Sequence, residues 1–426
     1  MSVGDGHPRA GGSRPERAQP DYDVLIIGGG MVGASLGIAL GGTGMRAAVV
    51  ESVPYGDARQ PSYDDRTVAL AYGSKRIFLA LDVWNGLCAR DGVTAIQRIH
   101  VSDQGHFGLA HLDAATAGVE ALGFVVENRV LGAVLTERLG SVTGVELLQP
   151  ATMTAVEFED QNVSVTIDHA GQTRRLTSRL VVAADGGNSV ARSLAGIPVS
   201  RMHYRQSAIV TNVSTERPHQ GTAFERFTQS GPLALLPMSG DRCSVVWSLG
   251  PQQAQAMLEL PDVAFLDRLQ DTFGDRLGRL TRVGRRQCHA LELTRVAEHV
   301  RPRLALVGNA AHTVHPVAGQ GFNLGLRDVA VLAQVLVEAW RQGADPGSIG
   351  VLRRYAEWRR RDNLAVSRFT DGLVRIFSNS VVPLVFARNL GLVAVDLVPG
   401  IKRALVNRAT GLAGRQPLLA RGLPLV

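Results

Sequence analysis

The sequence contains very little lysine. Only Lys75 and Lys402 occur among its 45 basic residues, so arginine carries nearly all of the positive charge. The net charge of +7 suits an anionic surface, such as nucleic acid or phospholipid head groups, or reflects a general bias toward arginine. Aromatic residues make up only 5% of the chain, and no basic stretch is interleaved with them. Nucleic acid is therefore not expected as a partner.

Cysteine is also scarce, and its pattern excludes several classes of protein. Cys88, Cys243 and Cys288 are odd in number and follow no metal-site spacing, so we expect reduced, buried thiols in a cytosolic protein and no metal. No stretch of about 20 uncharged apolar residues is present, which argues against a membrane span. Residues 1–20 are rich in Gly, Pro and Arg and lack the apolar core of a signal peptide, so we expect a disordered tail.

Glycine, by contrast, is concentrated at informative places. A short apolar run at 24–27 predicts a buried parallel strand, and Gly28, Gly30 and Gly33 follow it at the spacing G-x-G-x-x-G before an apolar helix. The next apolar run ends in Glu51, where a carboxylate can accept the ribose hydroxyls of an adenosine. This unit predicts a dinucleotide site, and the charge of Glu51 favours FAD or NAD over NADP.

Two later segments favour FAD. An apolar run at 180–184 leads into Asp185, and another at 303–307 leads into Gly308 and Asn309. The glycine-rich segment 317–325 then opens an apolar helix, whose N-terminus would stabilise negative charge on a reduced flavin. NAD needs no such distal element. We therefore predict that the three glycine-bearing turns converge on one FAD molecule.

The motifs resemble those of a known family. The specific segments are 66–74, 99–108, 127–131, 223–227 and 309–328. Over about 22–414, the chain resembles class A flavoprotein monooxygenases with the fold of para-hydroxybenzoate hydroxylase. It is most similar to the ubiquinone-biosynthesis ring hydroxylases of the UbiH group, the 2-polyprenyl-6-methoxyphenol hydroxylases. Asn309 stands where the wider superfamily usually has Asp, a departure that the UbiH group often shares.

The resemblance implies an α/β fold. A Rossmann-like FAD-binding domain would be assembled from residues 21–84, 122–196 and 295–341. A substrate domain with an antiparallel sheet would comprise 85–121 and 197–294. Alternating apolar runs at 207–213, 222–227, 232–238 and 242–249 independently predict a strand meander, and 262–273 predicts a helix. Residues 342–426 would form a C-terminal helical region.

The resemblance also implies a function. The chain would hydroxylate the aromatic ring of a polyprenylated phenol in ubiquinone biosynthesis, with O2 carried as a C4a-hydroperoxide of FAD. NAD(P)H would bind transiently, or another donor would supply the electrons, and other ubiquinone-biosynthesis proteins could be partners. The alternatives are another ring position, another aromatic substrate in the same fold, or a non-catalytic prenyl-binding carrier.

Further roles follow from the matched positions. Gly28, Gly30, Gly33, Glu51, Asp185, Gly308 and Asn309 would hold the dinucleotide, and Gly319, Gly321 and Asn323 would touch the isoalloxazine ring. Arg66 would lie in a flavin-side loop and Arg129 over the diphosphate; the alternative for both is a salt bridge. His315 and Pro316 would face the flavin where oxygen reacts.

The catalytic base is left open. The imidazole of His315 could accept a phenol proton or be structural, and a structural role is favoured for His312. Asp103, His106 and Tyr204 are weaker candidates for the substrate side.

The C-terminal region allows two interpretations. Residues 381–398 are strongly apolar, and Lys402, Arg403 and Arg408 follow them. The region could simply cap the FAD domain, or it could present an interfacial surface to a bilayer. A polyprenyl substrate must leave a membrane, so we expect a cytoplasmic protein peripheral to the inner face of the cytoplasmic membrane.

Overall fold

The computed structural model describes residues 19–57, 66–313, 319–377 and 381–426. The expected tail 1–20 therefore lies almost wholly outside the described residues. In chain order, the strands are β1 (Tyr22–Ile27), β2 (Ala47–Val50), β3 (Thr67–Ala71), β4 (Val93–Ile96), β5 (Arg98–Asp103), β6 (Leu109–Asp113), β7 (Gly123–Glu127), β8 (Val145–Leu148), β9 (Ala151–Phe158), β10 (Val163–His169), β11 (Gln172–Ala183), β12 (Val199–Thr215), β13 (Thr222–Phe227), β14 (Pro232–Pro237), β15 (Arg242–Leu249), β16 (Leu280–Val283), β17 (Gln287–Val296), β18 (Val300–Arg301), β19 (Leu304–Leu306) and β20 (His312–Thr313).

The helices alternate with these strands early in the chain and dominate its end. They are α1 (Met31–Leu40), α2 (Tyr72–Ala80), α3 (Trp84–Cys88), α4 (Ala114–Ala117), α5 (Asn128–Ser141), α6 (Val190–Leu194), α7 (Pro251–Glu259), α8 (Asp262–Phe273), α9 (Gln320–Arg341), α10 (Ile349–Phe377), α11 (Val382–Leu397) and α12 (Pro399–Ala409). Short 3₁₀ turns also occur at Gly308–Ala310, before α9, and at Leu419–Arg421, after α12.

The first sheet is the dinucleotide-binding layer. Strands β19, β11, β1, β2 and β8 lie side by side and are all parallel, while β9 and β10 extend β11 as an antiparallel ribbon. Its central strands read as continuous apolar runs because helices α1 and α9 cover one face and a second apolar cluster covers the other. The carboxyl ends of β1, β11 and β19 meet at one edge, which places the three glycine-bearing turns together.

The second sheet matches the predicted meander. Its order is β20, β17, β12, β15, β14, β13, β5 and β6, with β16 paired to β12. Helix α8 covers one face through Phe265, Leu269 and Phe273. The pairing is antiparallel except between β13 and β5, which run parallel because β5 arrives from a distant part of the chain. The sheet is therefore mixed rather than purely antiparallel.

A third, three-stranded sheet modifies the proposed division into domains. Strand β7 pairs with β3 on one side and β4 on the other, and Trp84 and Leu87 of α3 lie in the same core as β1 and α1. The segment 85–121 is consequently not one piece. Its first part, through β4, packs with the cofactor-binding layer, and only β5 and β6 join the large sheet.

The C-terminal helices begin with α10, which packs on the cofactor-binding layer. Leu352 and Tyr355 of α10 are buried in its core, and Gly73 of α2 closely approaches the backbone at Gly411. Among the described residues, no single helix is long and apolar enough to cross a membrane, although α11 and α12 together satisfy that test with a 93° bend between them. Of the cysteines only Cys243 is buried; Cys88 and Cys288 are exposed, contrary to expectation, and all three are free.

Candidate cofactor and active site

The first glycine turn brings three chain segments into close contact. Gly28 has φ of +98°, a conformation that favours glycine. A Cβ there would lie 2.7 Å from the carbonyl carbon of Ala184, and a Cβ at Gly33 would lie 1.8 Å from the Gly28 carbonyl oxygen. Around Gly30, the N-cap of α1, a Cβ would meet open space. The helix N-terminus is thus accessible to an anionic group such as a diphosphate.

Glu51 lies directly beside this turn. It follows β2 and is buried, and its Oε2 accepts a hydrogen bond from the Gly29 N–H at 2.6 Å while Oε1 accepts one from the Val53 N–H at 2.8 Å. These bonds fix the carboxylate at the end of the strand. Each oxygen keeps acceptor capacity for a ribose hydroxyl.

The second turn carries a carboxylate with an unused oxygen. Asp185 Oδ2 accepts a hydrogen bond from the Ala191 N–H at 3.0 Å, whereas Oδ1 is buried and has no hydrogen-bond partner among the residues that the structure describes. Buried polar atoms are rarely left unsatisfied, so this atom indicates a missing donor in the crevice. A Cβ at Gly28 would lie 2.7 Å from the Cα of Asp185. Asp185 is therefore packed against the first turn.

Arg192 joins the second turn to the third, a role that its position in the sequence did not reveal. Its guanidinium donates to the carbonyl oxygens of Gly187, at 2.8 Å, and of Ala310, at 2.9 Å. Its backbone N–H donates to the capping hydroxyl of Ser189 at 2.9 Å. The two turns are therefore held together by one buried arginine.

The third turn is anchored by a buried ion network that sequence reasoning also missed. Gly308, with φ of +58°, donates its N–H to Asp328 Oδ2 at 3.0 Å, and His312 Nε2 lies 2.8 Å from the same oxygen. Arg359 Nε donates to Asp328 Oδ1 at 2.6 Å. Burial alone would raise the pKa of Asp328, but Arg359 and His312 hold it well below its usual range. The structure thus gives His312 the structural role favoured from sequence.

The N-terminus of α9 points into the same region. Gly319, with φ of +61°, caps the helix, and a Cβ there would lie 2.9 Å from Cβ of Ala69 on β3. Asn323 uses its whole amide on protein: Oδ1 accepts from the N–H of Ala71 and the hydroxyl of Ser74, and Nδ2 donates to the carbonyls of Ala69 and Gly319. Asn323 therefore positions the helix end, and its amide is already occupied by protein groups rather than open to the predicted isoalloxazine contact, whereas Gly321 has open space around it.

The two arginines differ in placement. Arg129 is 59% exposed and donates to Glu127 Oε2 at 3.0 Å, the salt bridge that was the alternative from sequence. Arg66 lines a cleft of about 310 Å³ together with Arg242 and Val210 of the large sheet. Asn309 is exposed at the third turn.

The predicted catalytic residues His315 and Pro316 lie outside the described residues. Asp103, a weaker candidate for the substrate side, has a different role. It is buried and accepts hydrogen bonds from Arg388 and Asn389 of α11, with His106 Nδ1 3.3 Å away. Asp103 thus docks a C-terminal helix onto the large sheet, and its carboxylate is engaged by protein groups rather than open to a substrate.

The residues of the crevice suit FAD. Side-chain-free turns at Gly28 and Gly308, an exposed helix N-terminus at Gly30 and an acceptor at Glu51 provide the elements for a diphosphate and an adenosine ribose. The unsatisfied Oδ1 of Asp185 can accept a hydrogen bond from a ribitol or ribose hydroxyl. The N-terminus of α9 supplies positive potential for a flavin ring.

Comparison with known proteins agrees with this geometry. The FAD binding domain family matches residues 21–370. The chain is 42% identical to ubiquinone hydroxylase UbiL of Rhodospirillum rubrum, covering 100% of this chain and 98% of the relative. It is 35% identical to 3-demethoxyubiquinol 3-hydroxylase of Escherichia coli, covering 92% and 98%. The crystal structure of p-nitrophenol 4-monooxygenase PnpA from Pseudomonas putida superposes with a TM-score of 0.77 at 20% identity, covering 93% and 99%, and so shares the fold. The chain therefore belongs to the FAD binding domain family, and is an FAD-dependent monooxygenase of the group that includes the ubiquinone-biosynthesis hydroxylases.

Proposed function

We propose that this chain hydroxylates the aromatic ring of a polyprenylated phenol in ubiquinone biosynthesis, using FAD, O2 and electrons from NAD(P)H or another donor. The observation that carries the proposal is the 42% identity, over its full length, to a protein named as a ubiquinone hydroxylase. The crevice supports it, because the three turns form one continuous cradle next to the large sheet.

The protein's part in such a reaction is to hold and orient. FAD, when bound, supplies the oxygen chemistry. The turns at Gly28 and Gly308 would fix the nucleotide, and the N-terminus of α9 would stabilise negative charge at the flavin ring. Close packing of β3, α2 and α9 around Asn323 would keep that end of the crevice rigid and would limit the entry of water.

A prenyl tail gives the C-terminal helices a role at a membrane. Helix α11 is docked by its polar side chains: Asn389 is buried, its Oδ1 accepts from the Gly108 N–H at 2.7 Å, and Arg388 pairs with Asp103 at 2.9 Å. Four apolar side chains of the same helix nevertheless point outward, among them Val382, which is 77% exposed, and Phe386, which is 60% exposed. A soluble protein usually buries the apolar face of a helix.

The exposed apolar stripe comprises Val382, Phe386, Leu390 and Leu397 of α11, with Phe107 beside it and Ile401 of α12 beyond its end. Arg403 and Arg408 of α12 are also exposed. Apolar groups bordered by arginine suit the interface of a bilayer with anionic lipid. The proposal therefore includes peripheral attachment at the inner face of the cytoplasmic membrane.

The test begins with the absorption spectrum of the purified protein. It should show bound flavin, and anaerobic NADPH should bleach that flavin faster when a short-chain prenylphenol is present. Under air, mass spectrometry should find the phenol with one added oxygen, and its fragmentation gives the ring position. A protein that stays colourless after FAD is added would favour the prenyl-binding carrier. If no prenylphenol changes the rate of flavin bleaching or of oxygen uptake, the proposed substrate class is wrong.

A further inference from the structure

Strand β13 carries one acidic residue, Glu225, on the face of the large sheet that is not covered by α8. Side chains alternate along a strand. Phe224 packs edge-on against Phe273 of α8, with ring centroids 5.3 Å apart, whereas Phe227 stacks on Phe377 of α10 at 3.6 Å. Glu225 lies between these two and shares the face of Phe227. It therefore points away from α8 and toward the side of the C-terminal helices.

This face is incompletely filled near Glu225. The strand register places Glu225 in one cross-sheet row with Val101 of β5, Ala234 of β14, Val246 of β15 and Val210 of β12. All five are only partly buried, whereas the apolar residues beside three of them on the opposite face are buried: Leu233 and Leu235 of β14, Val245 and Trp247 of β15 and Ile209 of β12. Val210 lines the cleft that also holds Arg66. The row is thus an open, largely apolar strip that leads to the cofactor-binding layer, with one carboxylate on it.

The Glu225 carboxylate makes no hydrogen bond or ion pair with any residue in the described part of the chain. Although the residue keeps some solvent exposure, desolvation of the carboxylate by the surrounding protein raises its pKa to about 7. The strands packed against β13 do not offset this: on β14 the facing residues are uncharged, and on β5 the facing acid, Asp103, is already paired with Arg388 of α11. Arg226 of β13 points to the opposite face.

We propose that Glu225 is a catalytic residue that accepts the hydroxyl proton of the phenol substrate. The step rests on the proposed function and is a simple proton transfer: the phenol O–H bond breaks, an O–H bond forms on the carboxylate, and the negative charge moves to the ring oxygen. The ring becomes more electron-rich and more reactive toward an electrophilic oxygen. An apolar strip with one acceptor suits a prenylated phenol, since the ring contacts Val and Ala while its hydroxyl meets the carboxylate.

The experiment compares the holoenzyme, Glu225→Gln and Glu157→Gln, which removes a carboxylate from an exposed pair on β9. The ligands are a short prenylphenol and its methyl ether, which has no proton to donate. Glu225→Gln should lower the hydroxylation rate by about 100-fold and weaken phenol binding, by calorimetry, by about 10-fold, while ether binding is unchanged. The wild-type rate should rise with pH through about 7, and Glu225→Gln should lose that dependence. Glu157→Gln should match the wild type.

Three results would overturn the assignment. One is a Glu225→Gln variant with wild-type rate and pH profile; another is a loss of rate with phenol and ether binding equally affected. If Glu225→Gln does not fold, the wild type still decides: phenol and ether that bind equally at pH 6 and pH 8 exclude the carboxylate as acceptor. A wild type that distinguishes phenol from ether but hydroxylates no prenylphenol would instead refute the proposed function.

Discussion

At the scale of single residues, Asp328 holds the third turn in place. It is fully buried, and it joins the Gly308 N–H, His312 and Arg359, whose guanidinium is itself fully buried. Asp328→Asn removes the charge and leaves Arg359 partly uncompensated, so we expect a loss of about 3 kcal/mol in the free energy of unfolding and weaker FAD retention.

Urea unfolding and flavin fluorescence of the purified holoenzyme measure both effects. Asp262→Asn is the matched control. Asp262 also pairs with an arginine, Arg286, but its side chain is 68% exposed, so the substitution should lower the free energy of unfolding by less than about 1 kcal/mol. Equal behaviour of the two variants would show that the network does not hold the turn. Because the pKa of Asp328 is lowered, its stabilisation is present above the ordinary pKa of 3.8 and declines as pH falls below it.

The contribution of Glu225 to stability should depend on pH in the direction opposite to that of Asp328. Its pKa rises from 4.5 in the unfolded chain to about 7 in the folded one, so the folded state binds the proton more tightly. Its contribution to stability is complete below pH 4.5 and is lost as pH rises through 7. Glu225→Gln should therefore unfold like the wild type at pH 4.5 and be more stable at pH 8, by up to about 3 kcal/mol. A stability difference that does not change with pH would contradict the burial of this carboxylate.

At the scale of secondary-structure elements, the junction of β1 and α1 depends on the absence of side chains. Gly28→Ala would place a Cβ 2.7 Å from backbone atoms of Ala184 in a strained conformation, so the turns at β1 and β11 would have to separate. We expect FAD affinity to fall by at least about 10-fold, because the diphosphate cradle is built from these turns. Gly140→Ala, in helix α5 with open space around it, should keep FAD and be slightly more stable. Equilibrium dialysis of FAD with both variants checks the comparison.

The same scale shows what the sequence predicts and what it does not. Periodicity and glycine spacing predicted β1, α1, the meander and helix α8, because each is determined by neighbours in sequence. The orientation of α11 could not be predicted, since its polar face is set by Asp103, 285 residues away. Strand β13 was located correctly, but alternation alone does not say which face carries Glu225. That depends on which helices cover the sheet.

At the scale of the whole molecule, the fold separates two tasks. The parallel sheet and α9 form a closely packed cofactor layer, and the large sheet supplies a face that is partly open beside it. Helices α10 to α12 connect the two: Tyr355 donates to the Leu306 carbonyl next to the third turn, while α11 is fastened to β5 by Asp103.

The exposed stripe of α11 leads to a prediction about the intact protein. Phe386→Asp and Leu390→Asp place charges on the side chains that would enter the interface, so each should lower partition onto vesicles of phosphatidylcholine and phosphatidylglycerol by at least about 10-fold. Val263→Asp is the control, because Val263 is 72% exposed on α8, on the opposite side of the large sheet, and its replacement should leave partition unchanged. Vesicle flotation measures the bound fraction. Partition that falls equally with all three variants would indicate a general charge effect, and partition that none of them changes would place the membrane contact elsewhere.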